Sequence, residues 1–150
     1  MKIDGSRGIF VGGASGMCRA TATRFRAGGG EVAILDLETS DGAAVAEELG
    51  GRFFPCNVMD FDGMAGVIGE AVEHLAGMQF LVNTAGGAVA QRTVKRDGSR
   101  HSLDDFRRII DLNLIGSFNI NSIGAEHMAG NESNENGERG VMLNTASIAA

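Results

Sequence analysis

The stretch VGGASGMCRA, residues 11–20, places three glycines and a serine between an apolar run and an amphipathic segment. The run GIFVG at 8–12 predicts a buried strand, and Ala20, Ala22 and Phe25 predict a helix over 16–27. A glycine turn between a strand and a helix brings backbone N–H groups to the positive end of the helix, where a pyrophosphate can bind. Loops without ligands also use glycine, so a purely structural turn remains an alternative.

Short apolar runs predict four further strands, and amphipathic segments predict the helices between them. The strands are expected at 31–35, 51–54, 78–83 and 140–144, and the helices at 40–49, 61–76 and 103–128. Thr39 or Ser40, and Asp60, are the expected N-caps, and Ser102 with Asp105 resembles a capping box.

This alternation of strands and helices predicts an α/β fold, a Rossmann-type doubly wound parallel sheet. Right-handed crossovers restrict five such strands to the order 3-2-1-4-5. Residues 1–150 contain no linker, repeat or low-complexity tract, so we expect one domain or part of one.

Composition and charge exclude several classes of partner. The 150 residues carry a net charge of −6, which gives no basic surface for nucleic acid or an anionic membrane. No apolar run approaches the ~20 residues of a membrane span. The N-terminus shows no signal peptide, so we expect a cytoplasmic protein. The two cysteines and three histidines have no metal-ligand spacing, and no metal is predicted.

An acidic residue ends the second predicted strand. Asp36 lies about twenty residues beyond the glycine turn, where a carboxylate can accept hydrogen bonds from the adenosine ribose hydroxyls of NAD. The same charge would repel the 2′-phosphate of NADP. The alternative is an aspartate that only caps the turn after the strand.

Four motifs connect the chain to a known family. GGASGMC at 12–18, LVNTAGG at 81–87, DLNLIGSFN at 111–119 and NTAS at 144–147 resemble, in order and spacing, the short-chain dehydrogenase/reductase family. The stretches 93–119 and 131–150 are similar to one branch, the type 2 3-hydroxyacyl-CoA dehydrogenases. That branch oxidises short-chain 3-hydroxyacyl-CoA with NAD, and some members act on steroid alcohols.

The resemblance implies NAD as cofactor and assigns roles to residues along the chain. The residues expected to contact NAD are Gly12, Ser15, Gly16 and Met17 for the pyrophosphate and nearby ribose, Asp36 for the adenosine ribose, Asn57 and Val58 for the adenine, and Asn83, Thr84, Ala85 and Gly86 under the nicotinamide ribose.

The resemblance also implies two catalytic roles. Asn113 resembles the helix asparagine that helps to hold a proton-relay water, and Ser147 the serine that hydrogen-bonds the substrate oxygen. Each has a structural alternative: Asn113 satisfies a neighbouring carbonyl, or Ser147 is a turn residue after a strand.

Three residues depart from the family pattern. Val11 replaces the usual Thr, Cys18 the third glycine of the turn, and Asn57 an Asp. The carbonyl of Asn57 is still expected to reach the adenine amino group. We expect weakened but surviving NAD binding, and a Cys18 thiol whose pKa the helix N-terminus lowers.

The proton donor of the family is a Tyr followed four residues later by a Lys, beyond the serine of NTAS. The sequence stops three residues after Ser147 and contains no tyrosine. We therefore expect an N-terminal cofactor-binding portion that is inactive by itself, and a homo-oligomer for the complete enzyme. The expected consequences are an unprotected edge at strand 140–144 and exposed apolar surface on helix 103–128.

A basic loop at 92–100 holds Arg92, Lys95, Arg96 and Arg100. It is interpreted either as a receptor for the phosphates of coenzyme A or as a solvated loop. The functional hypotheses are an oxidoreductase acting on 3-hydroxyacyl-CoA or a related secondary alcohol, another short-chain alcohol or 3-oxoacyl reductase, and a non-catalytic NAD-binding module. A methyltransferase is disfavoured because NTAG and NTAS have no role there.

Overall fold

The computed structural model describes residues 1–147. Five strands form one parallel sheet in the order β3-β2-β1-β4-β5, which confirms the predicted topology. The strands are β1 (Arg7–Val11), β2 (Glu31–Asp36), β3 (Arg52–Pro55), β4 (Phe80–Asn83) and β5 (Val141–Asn144). The helices are α1 (Gly16–Ala27), α2 (Gly42–Glu48), α3 (Met64–Leu75), α4 (Leu103–Ile110) and α5 (Gly116–Ala129), with a π-helical segment at Asp111–Ile115 joining the last two.

The two faces of the sheet carry separate cores. One core contains Phe10, Val32 and Ile34 of the central strands with Ala22 and Phe25 of α1. The opposite core is built on Ile9, Val11 and Leu81 with Ile68 of α3 and Ile120 of α5. Strand residues therefore alternate between two apolar layers, which is why the central strands read as continuous apolar runs.

Element boundaries differ from the predicted ones for local reasons. Strand β1 ends at Val11, since Gly12 leaves the extended region with a φ of +79°. The predicted start of α2 at Thr39 or Ser40 is wrong: Asp41 is the N-cap, and the Ser40 hydroxyl accepts from the Gly42 N–H at 3.2 Å.

The prediction of Asp60 as the N-cap of α3 is also wrong, because Gly63 is the N-cap and Asp60 caps a turn that precedes the helix. Its Oδ1 accepts from the Gly63 N–H at 3.1 Å, and the helix begins at Met64. The Ser102 cap is confirmed, since its hydroxyl accepts from the Asp105 N–H at 3.1 Å. The Asp105 carboxylate, however, accepts from Gln91 instead of completing a capping box.

The predicted helix 103–128 is interrupted by the π-helical segment. Such a segment inserts one extra residue per turn and often occurs at functional sites. Among the described residues, no helix is long and apolar enough to cross a bilayer.

Candidate functional site

A cavity of about 540 Å³ opens at the carboxyl edge of the sheet. This edge of an open parallel sheet is where ligands bind, and the volume lies in the ~300–1,000 Å³ range of small-molecule sites. Ten of the residues predicted to contact NAD line it: Gly12, Ser15, Gly16, Met17, Asp36, Asn57, Val58, Thr84, Ala85 and Gly86.

The glycine turn lies against the segment that follows β4. A Cβ on Gly12 would stand 3.0 Å from the Ala85 nitrogen and 3.1 Å from Thr84 Oγ1, and its φ is +79°. Both space and backbone conformation therefore require glycine there. Gly16 has a φ of +54° but open space around it, so its requirement is conformational and the mouth of the turn stays clear.

The N-terminus of α1 faces this turn. The first N–H groups of a helix have no intrahelical acceptors, and within the described chain the Ser15 side chain caps none of them. The first turn contains no acidic residue. These donors and the helix dipole make the position suitable for an anion such as a pyrophosphate.

Asp36 connects the turn to the end of β2. One carboxylate oxygen accepts from the Ala14 N–H at 2.9 Å and the other from the Leu37 N–H at 2.8 Å. Each oxygen keeps a further lone pair for another donor. Asp36 thus caps the turn after its strand, as its structural alternative proposed. This role leaves the carboxylate able to bind a ribose as well.

Asn83 lies beneath the cavity and does not line it. It is 3% exposed, and its Oδ1 accepts from the Ala85 N–H at 3.0 Å. Its Nδ2 donates to Ser117 Oγ at 3.3 Å and Asn144 Oδ1 at 3.4 Å. Asn83 therefore holds β4, β5 and α5 together and fixes the segment that contains Thr84 and Ala85.

Asn113 clamps the π-helical segment to the chain after β4. Its Oδ1 accepts from the Gly87 N–H at 3.0 Å, and its Nδ2 donates to the Gly87 carbonyl at 2.7 Å. Ser147 is exposed, three residues beyond the end of β5 at the same edge of the sheet.

The predicted lowering of the Cys18 pKa is wrong. Burial removes the thiol from water and raises its pKa from 9.0 to about 11; the nearby charge of Asp36 adds to the increase, and a hydrogen bond with Thr84 opposes it. Cys18 is fully buried, and its Sγ donates to the Val11 carbonyl at 3.4 Å. Burial, with a contribution from Asp36, also raises the pKa of Cys56 to about 12.

Sequence reasoning missed several apolar residues of the cavity. They are Leu37, Cys56, Met59 and Leu112. Each of the four directly precedes or follows a predicted site residue, which is the signal that could have pointed to them.

The basic loop forms a small exposed turn. Val94 and Arg100 pair in an antiparallel bridge, and Arg92, Arg96 and Arg100 are exposed.

The family model for short chain dehydrogenases matches residues 8–150, and the chain belongs to the short-chain dehydrogenase family. It is 39% identical over 145 residues to 3-hydroxyacyl-CoA dehydrogenase type-2 of Drosophila melanogaster, covering 95% of this chain and 57% of that protein. The Bos taurus protein of the same name is 40% identical over 151 residues, covering 99% of this chain and 58% of that protein.

Solved structures agree with this assignment. The 3-hydroxyacyl-CoA dehydrogenase type-2 from Mycobacterium avium is 40% identical with a TM-score of 0.88, covering 99% of this chain and 59% of that one. A 7α-hydroxysteroid dehydrogenase complexed with NADH and 7-oxo glycochenodeoxycholic acid is 28% identical with a TM-score of 0.81, covering 99% of this chain and 55% of that one. The chain thus spans less than two thirds of the length of these relatives.

Proposed function

We propose that residues 1–150 form the NAD-binding domain of an oxidoreductase that acts on a 3-hydroxyacyl-CoA or a related secondary alcohol. The observation that carries the proposal is the cavity in which the open N-terminus of α1 and the carboxylate of Asp36 lie side by side. NAD bound there supplies the hydride acceptor of the reaction.

The residues present fit a dinucleotide in their chemistry. The N–H groups at the start of α1 would bind the pyrophosphate, and the free lone pairs of Asp36 would accept from the adenosine ribose. A carboxylate disfavours a 2′-phosphate, so NAD is preferred over NADP. The NADH complex of the 7α-hydroxysteroid dehydrogenase, a relative of the same fold, supports a nicotinamide cofactor.

The substrate side of the proposal rests on the type 2 relatives. Ser147 would hydrogen-bond the substrate oxygen, and Asn113, next to the cavity, would help to order a water. The exposed arginines of the basic loop would receive the phosphates of a coenzyme A ester; the alternative is a solvated loop. The cytoplasmic location of the protein and the homo-oligomeric assembly of the complete enzyme stay predictions.

Calorimetric titration of NAD and NADP tests the cofactor site. We expect NAD to bind more tightly than NADP, and Asp36→Ala to weaken NAD by about tenfold or more, since a hydrogen bond to a charged group contributes ~1.5–3 kcal/mol. Asp41→Ala is the matched control, because it removes a nearby exposed carboxylate that caps no helix N–H. No NAD binding by a chain shown to be folded by circular dichroism would contradict the proposal.

A second candidate function is a non-catalytic NAD-binding module, which the cofactor cavity alone would also fit. Hydride transfer from a short-chain 3-hydroxyacyl-CoA, followed by NADH absorbance, tests whether these 150 residues catalyse the reaction. Turnover would contradict the module and support the dehydrogenase, whereas binding without turnover is expected for both, because the Tyr and Lys of the family follow the serine of NTAS.

A further inference from the structure

The side-chain amide of Asn57 is oriented by a turn of its own backbone. Its Oδ1 accepts from the Met59 N–H at 3.0 Å, and its main-chain carbonyl accepts from the Asp60 N–H at 2.8 Å. Of the two polar atoms in the amide, only the oxygen can accept from a backbone N–H. The turn therefore points Oδ1 at the Met59 N–H, and Nδ2 is the polar atom of the amide with no partner among residues 1–147. This orientation differs from the sequence-based expectation that the Asn57 carbonyl faces the adenine amino group.

Two hydrogen-bond donors are available at this position. Asn57 lines both the main cavity and the groove beside it, and its Nδ2 has no partner among residues 1–147. The backbone N–H of Val58, the next residue, likewise donates to none of those residues. At Asn57 and Val58 the segment after β3 thus offers two adjacent donors to a ligand.

This segment lies where the base of a dinucleotide would bind. The phosphate-binding turn follows β1, Asp36 ends β2, and Asn57 follows β3, the next strand outward. Asp36 pairs with Pro55 in the sheet, which puts Asn57 two residues beyond that pair. A ribose at Asp36 with its phosphates toward β1 directs the base toward β3.

The chemistry of the purine edge then decides selectivity. Adenine carries a donor, its 6-amino group, next to the acceptor N1, whereas hypoxanthine carries a 6-oxo acceptor next to an N1–H donor. Against the two donors of Asn57 and Val58, each base makes one match and one mismatch. We propose that this chain discriminates little between 6-amino and 6-oxo purine dinucleotides and that Asn57 is the residue responsible. The proposal rests on the proposed NAD site and specifies its base selectivity.

Two variants change only the donor that faces the base. Asn57→Asp keeps an oxygen for the Met59 N–H and replaces the amide nitrogen with an acceptor, so adenine matches at both positions and hypoxanthine at neither. Asn57→Ser keeps a hydroxyl that can accept in the same kind of turn and removes the second polar atom. The preference for adenine is therefore expected to increase in the order Asn, Ser, Asp.

The test is calorimetric titration of the 150-residue chain and both variants with NAD and with nicotinamide hypoxanthine dinucleotide. We expect the two affinities to agree within about threefold in the unmodified chain, and Asn57→Asp to favour NAD by at least about tenfold, since a carboxylate accepts strongly from the 6-amino group and repels a 6-oxo oxygen. Circular dichroism confirms that each variant is folded.

Two results would overturn the inference while leaving the NAD site intact: a preference of tenfold or more for NAD in the unmodified chain, or an unchanged ratio in Asn57→Asp. If neither dinucleotide binds to the folded chain, the NAD site itself is refuted and the inference with it. The outcomes of the two proposals are thus distinguishable.

Discussion

The Cys18 thiol occupies a position between the glycine turn and the sheet. Its Sγ is 3.4 Å from the Val11 carbonyl and 4.0 Å from the Val82 carbonyl, so it spans β1 and β4. The family turn has glycine here, and the side chain fits because it is small and can donate to strand carbonyls. The helix N-terminus, which would stabilise a thiolate, is outweighed by the loss of water around the sulfur.

This burial predicts a loss of stability in alkali. Below pH 9 the thiol is protonated in both the folded and the unfolded chain; between pH 9 and about 11 the unfolded chain loses its proton first, so the free energy of unfolding falls as pH rises. The free energy of unfolding is measured by urea unfolding at pH 9 and at pH 11. We expect its decrease between these two pH values to be about 2 kcal/mol smaller in Cys18→Ala than in the unmodified chain.

Few other groups obscure this measurement. The chain has no tyrosine, and Lys2 and Lys95 are its only lysines. Cys56, whose pKa is also raised, is removed in a Cys56→Ala background for both proteins. An identical decrease with and without Cys18 would show that the thiol does not carry the pH dependence.

At the scale of elements, the π-helical segment positions Asn113 against Gly87. Two hydrogen bonds join this side chain to one residue, so the chain after β4 is held from both its N–H and its carbonyl. Thr84, Ala85 and Gly86, which line the cavity, lie between that clamp and the anchor at Asn83.

Asn113→Ala is expected to increase local opening of the segment after β4 while lowering the stability of the whole fold only slightly. Each lost hydrogen bond contributes ~0.5–1.5 kcal/mol, so amide hydrogen exchange at Gly87 should accelerate by about tenfold or more while thermal unfolding shifts by only a few degrees. NAD affinity should fall as well. Asn119→Ala is the matched control, because Asn119 is half-buried in α5 and its side chain also donates to a backbone carbonyl, that of Phe61 at 3.0 Å. Equal exchange at Gly87 in both variants would argue against the clamp.

At the scale of the molecule, the sheet order followed from the sequence because alternating strands and helices with right-handed crossovers leave few topologies. The location of Asn83 beneath the cavity could not be predicted from the sequence. The motif LVNTAGG fixes the position of Asn83 in the chain but does not show which side chains pack over it. The prediction of a lowered Cys18 pKa was wrong for a similar reason. A helix N-terminus can be recognised in the sequence, but the burial of the Cys18 thiol depends on β1 and β4 together. The π-helical segment has the same apolar periodicity as the helices around it, so periodicity alone did not reveal it.

An apolar stripe runs along α4, the π-helical segment and α5. Its members recur at a spacing of three or four residues and are Leu103, Phe106, Ile110, Leu114 and Phe118, with Phe118 73% exposed. Strand β5 also pairs with one neighbour among the described strands, and its Leu143 is 50% exposed. Both features agree with the exposed surface expected from the sequence, and contiguous exposed apolar surface commonly marks an interaction site.

We therefore expect concentration-dependent self-association that depends on this stripe. Phe118→Glu places a charge in the contact and should hold the chain monomeric at concentrations where the unmodified chain associates, as measured by sedimentation velocity. Burying apolar surface contributes ~25 cal/mol per Å², whereas burying an unpaired carboxylate is strongly unfavourable. Val94→Glu is the control, since Val94 is an apolar residue of the basic loop that is 61% exposed and is not a member of the stripe. A chain that remains monomeric at every concentration would contradict the self-association expected of these residues, and loss of association in Val94→Glu alone would move the contact to the basic loop.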